Sequence, residues 1–175
     1  GRIVFPIYDS DVLTTGLVGR NTGDRGVRWL KQQRRDVPLS DRVWLYGIEK
    51  AARYILQYRT IILVEGIFDY FAFYNLLQNQ DKPVVVSTFG SYITPAAATI
   101  LMSLDIEHFI VAYNWDELGR NGIERVAAKS NGWVYYLGGP AKDQAPYDIL
   151  KPVVDTINGF SLGTPGDRCA MARRR

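Results

Sequence analysis

The chain has one cysteine, Cys169, and one histidine, His108, among 175 residues. A lone thiol excludes an internal disulfide and a cysteine zinc cluster, and a lone imidazole excludes a histidine-rich metal site. Any metal must therefore be held mainly by carboxylates, which favours a hard cation, Mg²⁺ or Mn²⁺. There is no run of about 18 apolar residues and no charged segment leading into a short apolar one at the start. Neither a membrane span nor a secretory signal is expected, and the expected location is cytoplasmic. No Gly-x-x-x-x-Gly-Lys-Ser/Thr loop occurs, which excludes a P-loop nucleotide site. The first residue is Gly1 rather than Met, as expected of a processed or excised piece.

What is present has the balance of a globular protein, 47% hydrophobic and 22% charged. The length suits one domain, or one domain with a small appended subdomain. Net charge is only +3, but Arg20, Arg25, Arg28, Lys31, Arg34 and Arg35 crowd one stretch and Arg173, Arg174 and Arg175 close the chain. Such clusters suit a polyanion; a solvated loop and a basic tail are the plainer alternative.

Periodicity divides the chain in two. Residues 2–7 and 12–18 read as short strands around a turn, 19–40 as a basic loop or loose helix without period, and 41–58 as a helix. From residue 60 strands alternate with helices. Ile61-Ile62-Leu63-Val64 is a continuous apolar run, as in a strand covered on both faces. Further strands are expected at 83–87, 108–113 and 133–137. Helices are expected at 68–77, from Thr94-Pro95 onward, at 117–130 and at 146–157. This alternation predicts a parallel sheet flanked by helices.

Ligands of open α/β sheets bind beyond the carboxyl ends of the strands, and acids fall there. Glu65 closes the first buried strand, Asp69 follows by one helical turn, Asn114 and Asp116 follow the third strand, and Asp143 follows the fourth. Carboxylates gathered this way repel unless a cation neutralises them. Plainer roles exist for some: Asp69 and Glu117 can complement a helix dipole and Asp116 can cap a helix, whereas an acid such as Glu65 at the end of an apolar strand is costly unless paired or exposed.

These residues carry a resemblance. Val64-Glu65-Gly66-Ile67-Phe68-Asp69 resembles the glutamate motif of Toprim domains. Asn114-Trp115-Asp116-Glu117-Leu118-Gly119-Arg120 resembles their Asp-x-Asp-x-x-Gly-Arg motif. Phe89-Gly90-Ser91-Tyr92-Ile93-Thr94 and Lys142-Asp143 resemble accompanying segments. Arg2-Ile3-Val4-Phe5-Pro6-Ile7, Gly16-Leu17-Val18-Gly19-Arg20 and Leu45-Tyr46-Gly47 resemble the stretch before Toprim in bacterial and phage-type, DnaG-like DNA primases. The resemblance implies a Toprim (Rossmann-like) α/β fold over residues 59–158, a small α+β part over 1–58 and a basic tail over 159–175.

The resemblance also implies short-RNA primer synthesis on a single-stranded DNA template from nucleoside triphosphates, in a bacterial or phage-infected cell, with a replicative helicase as a further partner. Glu65 would be the catalytic acid nearest the reacting hydroxyl, with Asp116 beside it. Glu65, Asp69, Asn114, Asp116 and Asp143 would ligate metal. Arg20, Arg25, Arg28, Lys31 and Arg120 would hold nucleic acid or phosphate. The match departs at Asn114, which stands where the motif has its first acid. A zinc module and the Pro-Lys-Tyr segment are missing; Arg28, Trp29 and Lys31 lie in that region. Three functions stay open: a primase core, a non-catalytic binding or assembly protein of the same fold, and a Toprim nuclease.

Overall fold

The computed structural model describes residues 1–8, 13–33, 37–38, 41–78, 84–114, 116–130, 132–136 and 170–172. The expected helix at 146–157 lies outside these residues, as do Trp115, Lys142, Asp143 and the arginines at 34, 35 and 173–175.

The amino-terminal part is an antiparallel sheet, β1 (Arg2–Tyr8), β2 (Thr14–Asn21) and β3 (Trp29–Gln33), in that order. Strand residues alternate between faces, and here Phe5, Ile7 and Val18 point inward and are buried while Val4, Leu17 and Leu30 lie on the outer face, exposed. The third strand corrects the expectation of a loop or loose helix. Its five residues, Trp-Leu-Lys-Gln-Gln, lie largely exposed at the sheet edge, so no apolar alternation announces them.

The expected helix at 41–58 shortens to α1 (Ile48–Tyr58). Gly47 takes φ 86°, outside the right-handed helical region, and stops the helix there. Just upstream, Tyr46 exchanges backbone hydrogen bonds with Ser87, at 2.9 and 3.1 Å, and so ties the connecting segment to the second sheet.

That second sheet has the order β5 (Val85–Ser87), β4 (Thr60–Val64), β6 (His108–Ala112), β7 (Trp133–Tyr136), β8 (Ala170–Ala172). The first three pairings are parallel and β7–β8 is antiparallel. The three-residue β8 falls within the expected 159–175 tail. Ile61, Ile62, Leu63 and Val64 are fully buried, as their continuous apolar run requires. Helices α2 (Ile67–Gln78), α3 (Pro95–Ser103) and α4 (Glu117–Lys129) flank the sheet. They bury Ile67, Tyr70, Phe73, Leu77, Ala97, Leu101, Ile123 and Val126 in one core. Thr94 caps α3, its hydroxyl accepting from the Ala97 N–H at 3.2 Å, with Pro95 at the first helical position. After β4 the chain moves to β5 on one side and then returns to β6 on the other. The strand order therefore reverses between β4 and β6, and a crevice opens at such a point beyond the carboxyl ends of the strands. Among the described residues no helix is long and apolar enough to cross a membrane.

Candidate metal and nucleotide site at the sheet edge

Glu65 leaves the end of β4 and Asn114 lies two residues past the end of β6, the adjacent strand. The Glu65 carboxylate accepts from the Asn114 backbone N–H at 3.4 Å, a long bond that joins the two loops across the reversal point. The Glu65 carbonyl accepts from the Gly90 N–H at 3.0 Å, and the Val64 carbonyl from the Thr88 N–H at 3.0 Å. The turn after β5 is thus pinned beside Glu65, with Phe89 and Gly90 both at positive φ, 50° and 130°.

Beneath this turn the buried hydroxyls of Thr88 and Tyr113 hydrogen-bond at 3.1 Å. Burial pushes the Tyr113 phenol above its usual value, the nearby Glu65 charge adds to this, and the Thr88 bond works against it. The tyrosine stays neutral and acts as a strut.

Asp69 sits in the first turn of α2, and its Oδ2 accepts from the Gly66 N–H at 3.1 Å, the returning half of a capping box. A Cβ on Gly66 would lie 2.6 Å from that oxygen, so glycine is what lets the carboxylate fold back so closely. Burial raises the Asp69 pKa above the ordinary carboxylate value; bonds from the backbone N–H groups of Gly66 and Asp69 offset part of the shift. A half-buried carboxyl with this bias gains from a cation placed beside it.

Asp116 caps α4, its Oδ1 accepting from the Gly119 N–H at 2.9 Å. The plainer capping role is therefore real, and the second carboxylate oxygen is not used by that bond. Gly122 allows α4 to press on the β5 turn, since a Cβ there would lie 2.6 Å from the Ser91 carbonyl oxygen.

Glu65, Asp69, Asn114 and Asp116 thus share one sheet edge. Among the described residues no three His, Cys, Asp or Glu side chains stand close enough to form a ready metal cluster. The donors are oxygens, with three carboxylates and an amide, and that chemistry fits a hard divalent cation.

The basic residues separate into groups. Arg20 and Trp29 are cross-strand neighbours, and the guanidinium lies over the indole ring at 5.0 Å. Lys31 donates to the Phe89 carbonyl oxygen, with its ammonium 5.5 Å from the Trp44 ring and 6.0 Å from the Phe89 ring. Lys31 is exposed as a residue, but its ammonium, held among these groups, is desolvated by burial, and that lowers its pKa. Lys31 therefore fastens the small sheet to the β5 turn as well as adding charge. Arg25 and Arg28 are exposed at the β2–β3 turn, where their carbonyls receive hydrogen bonds from Asn21. Arg120 is exposed in the first turn of α4.

The motifs contain Phe68 and Phe89 without giving either a role at this edge, and Thr88 and Tyr113 fall outside them. The available signals were a phenylalanine between the two motif acids Glu65 and Asp69, and a tyrosine closing an apolar strand.

Residues 62–143 match a family described as Toprim-like. A curated DNA primase of Helicobacter pylori is 27% identical over 120 residues, which cover 69% of this chain and 20% of the relative. The chain therefore spans about a fifth of the length of the curated relatives it matches. A crystal structure of the Aquifex aeolicus primase, with zinc-binding and RNA polymerase domains, superposes with a TM-score of 0.69 at 24% identity. It covers 90% of this chain and 40% of that one. A DnaG primase catalytic domain solved bound to single-stranded DNA superposes at 0.64 with 22% identity, covering 86% of this chain and 48% of that one. Residues 62–143 are thus similar to the Toprim-like family, and the fold resembles that of the DnaG-type primase structures.

Proposed function

We propose that this chain is the core of a primase-type nucleotidyltransferase, which joins ribonucleotides into short primers on single-stranded DNA. The observation that supports this most strongly is the meeting of Glu65 and Asn114 across the strand-order reversal, with Asp69 and Asp116 on the same edge. Glu65 accepts the proton of the attacking 3′-hydroxyl on a carboxylate oxygen. Glu65, Asp69 and Asp116, with the Asn114 amide oxygen and Asp143, are the residues that would hold Mg²⁺ or Mn²⁺. A bound ion would supply charge neutralisation for the triphosphate and the forming phosphodiester. Arg20, Arg25, Arg28, Lys31 and Arg120 place positive charge for template and nucleotide phosphates. A replicative helicase is the partner that would deliver the template.

A second reading has its own support. Asn114 carries no charge where the motif has an acid, and fewer charged ligands weaken cation binding. On that reading the chain keeps the fold for nucleic-acid binding or assembly without catalysis. Primer synthesis with labelled ribonucleotides, single-stranded DNA and Mg²⁺ or Mn²⁺ separates the two. Short RNA from the wild type that vanishes in Glu65→Gln is the expected result. Product from Asn114→Asp alone supports the second reading, and silence from both chains overturns the first.

A further inference from the structure

We propose that Phe68, packed against Trp29, whose ring carries the Arg20 guanidinium, is a stacking platform for a base of single-stranded nucleic acid. The proposal deepens the primase reading and rests on it. A lone exposed phenylalanine needs no explanation. Phe68 is different because of what holds it and where it stands. It is 55% exposed in the first turn of α2, between the candidate ligands Glu65 and Asp69, while its neighbours Ile67 and Tyr70 are buried. Its ring packs against Trp29 at 6.1 Å between centroids, tilted by 55°. Trp29 in turn packs on Phe5 at 6.4 Å, and Phe5 on Phe71 at 6.1 Å. The phenyl ring is therefore braced from behind by a file of aromatic side chains reaching the core. A braced ring loses little further freedom when a base settles on it.

Charge selects the occupant. The Arg20 guanidinium lies over the Trp29 ring at 5.0 Å, and Arg28 precedes Trp29 in the chain. An apolar peptide or a second copy of this chain would have to cover those cations. A single strand offers π-faces to the ring and phosphates to the guanidinium groups, the pairing used by proteins that bind single strands. Stacking tolerates any base, so the platform would position a strand near the acids without reading its sequence.

The test is binding of two labelled oligomers of equal length, oligothymidylate and an abasic deoxyribose-phosphate strand, to the full chain in Mg²⁺ without nucleotides. The wild type should prefer the base-bearing strand by about five- to a hundredfold. Phe68→Leu keeps an apolar side chain against Trp29 but has no π-face, and should abolish the preference. Phe68→Trp should restore it, and Arg20→Ala should weaken both oligomers together. A preference unchanged in Phe68→Leu overturns the platform while the nucleic-acid reading stands. A wild type that binds neither oligomer overturns both.

Discussion

The Asn114 carbonyl oxygen lies 1.9 Å from the point where a Cβ on Gly119 would sit. The motif's glycine is therefore a steric requirement. Helix α4 can begin directly over the β6 loop only if position 119 has no side chain, and the same approach lets the Asp116 carboxylate reach the Gly119 N–H. Gly119→Ala should destabilise the fold by roughly 2–3 kcal/mol, an overpacking cost. That corresponds to a melting point lower by about 4–12 °C in a domain of this size. An unchanged melting curve would show that the loop yields freely and that Asn114 and Asp116 are not rigidly placed.

Asp69 should reveal itself through pH. Its folded-state pKa is raised by burial, so the native state holds its proton to higher pH than the unfolded chain does. Stability therefore falls as pH rises from the unfolded value, about 4, through the raised folded value, and the cost is fully present above it. Asp69→Asn should melt higher than the wild type near pH 7 without divalent cation. The two should converge below about pH 4, and saturating Mg²⁺ should narrow the gap at neutral pH by offsetting the charge. A lower melting point for Asp69→Asn near pH 7 contradicts this electrostatic account.

Tyr113→Phe probes the strut below the β5 turn. The substitution removes one buried hydrogen bond to Thr88, whose hydroxyl keeps the Gly90 carbonyl at 2.6 Å. No buried hydroxyl is left without a partner, so the cost should be only about 1 kcal/mol in urea unfolding. A loss of several kcal/mol would mean that the tyrosine carries more of the edge than this bond.

How far the sequence exposed these arrangements depended on burial. Ile61–Val64 was readable as a strand because both of its faces are covered, and the strand ends then located Glu65 and Asn114. Asp116 was readable as both cap and candidate ligand; the structure shows the cap, and the ligand role is part of the proposed function. The strand Trp29–Gln33 was not readable, because an exposed edge strand of mixed polarity has no apolar alternation and takes its shape from pairing with β2. The helix start at Ile48 was missed for a related reason. Val43 and Leu45 continue the apolar pattern upstream, but Gly47 turns left-handed and Tyr46 pairs with Ser87. The contacts of Lys31 with Trp44 and Phe89 join residues far apart in the chain, which no local pattern encodes. Asp143 remains a proposal from motif resemblance, since it lies outside the described residues.

A divalent-cation site formed by Glu65, Asp69, Asn114 and Asp116 is tested most directly by titration with Mn²⁺ followed by electron paramagnetic resonance. The wild type should bind Mn²⁺, Glu65→Gln should bind it at least about tenfold more weakly, and Asn114→Asp more tightly, following the charge of the ligand set. Equal binding by all three chains, or none by the wild type, would contradict such a site.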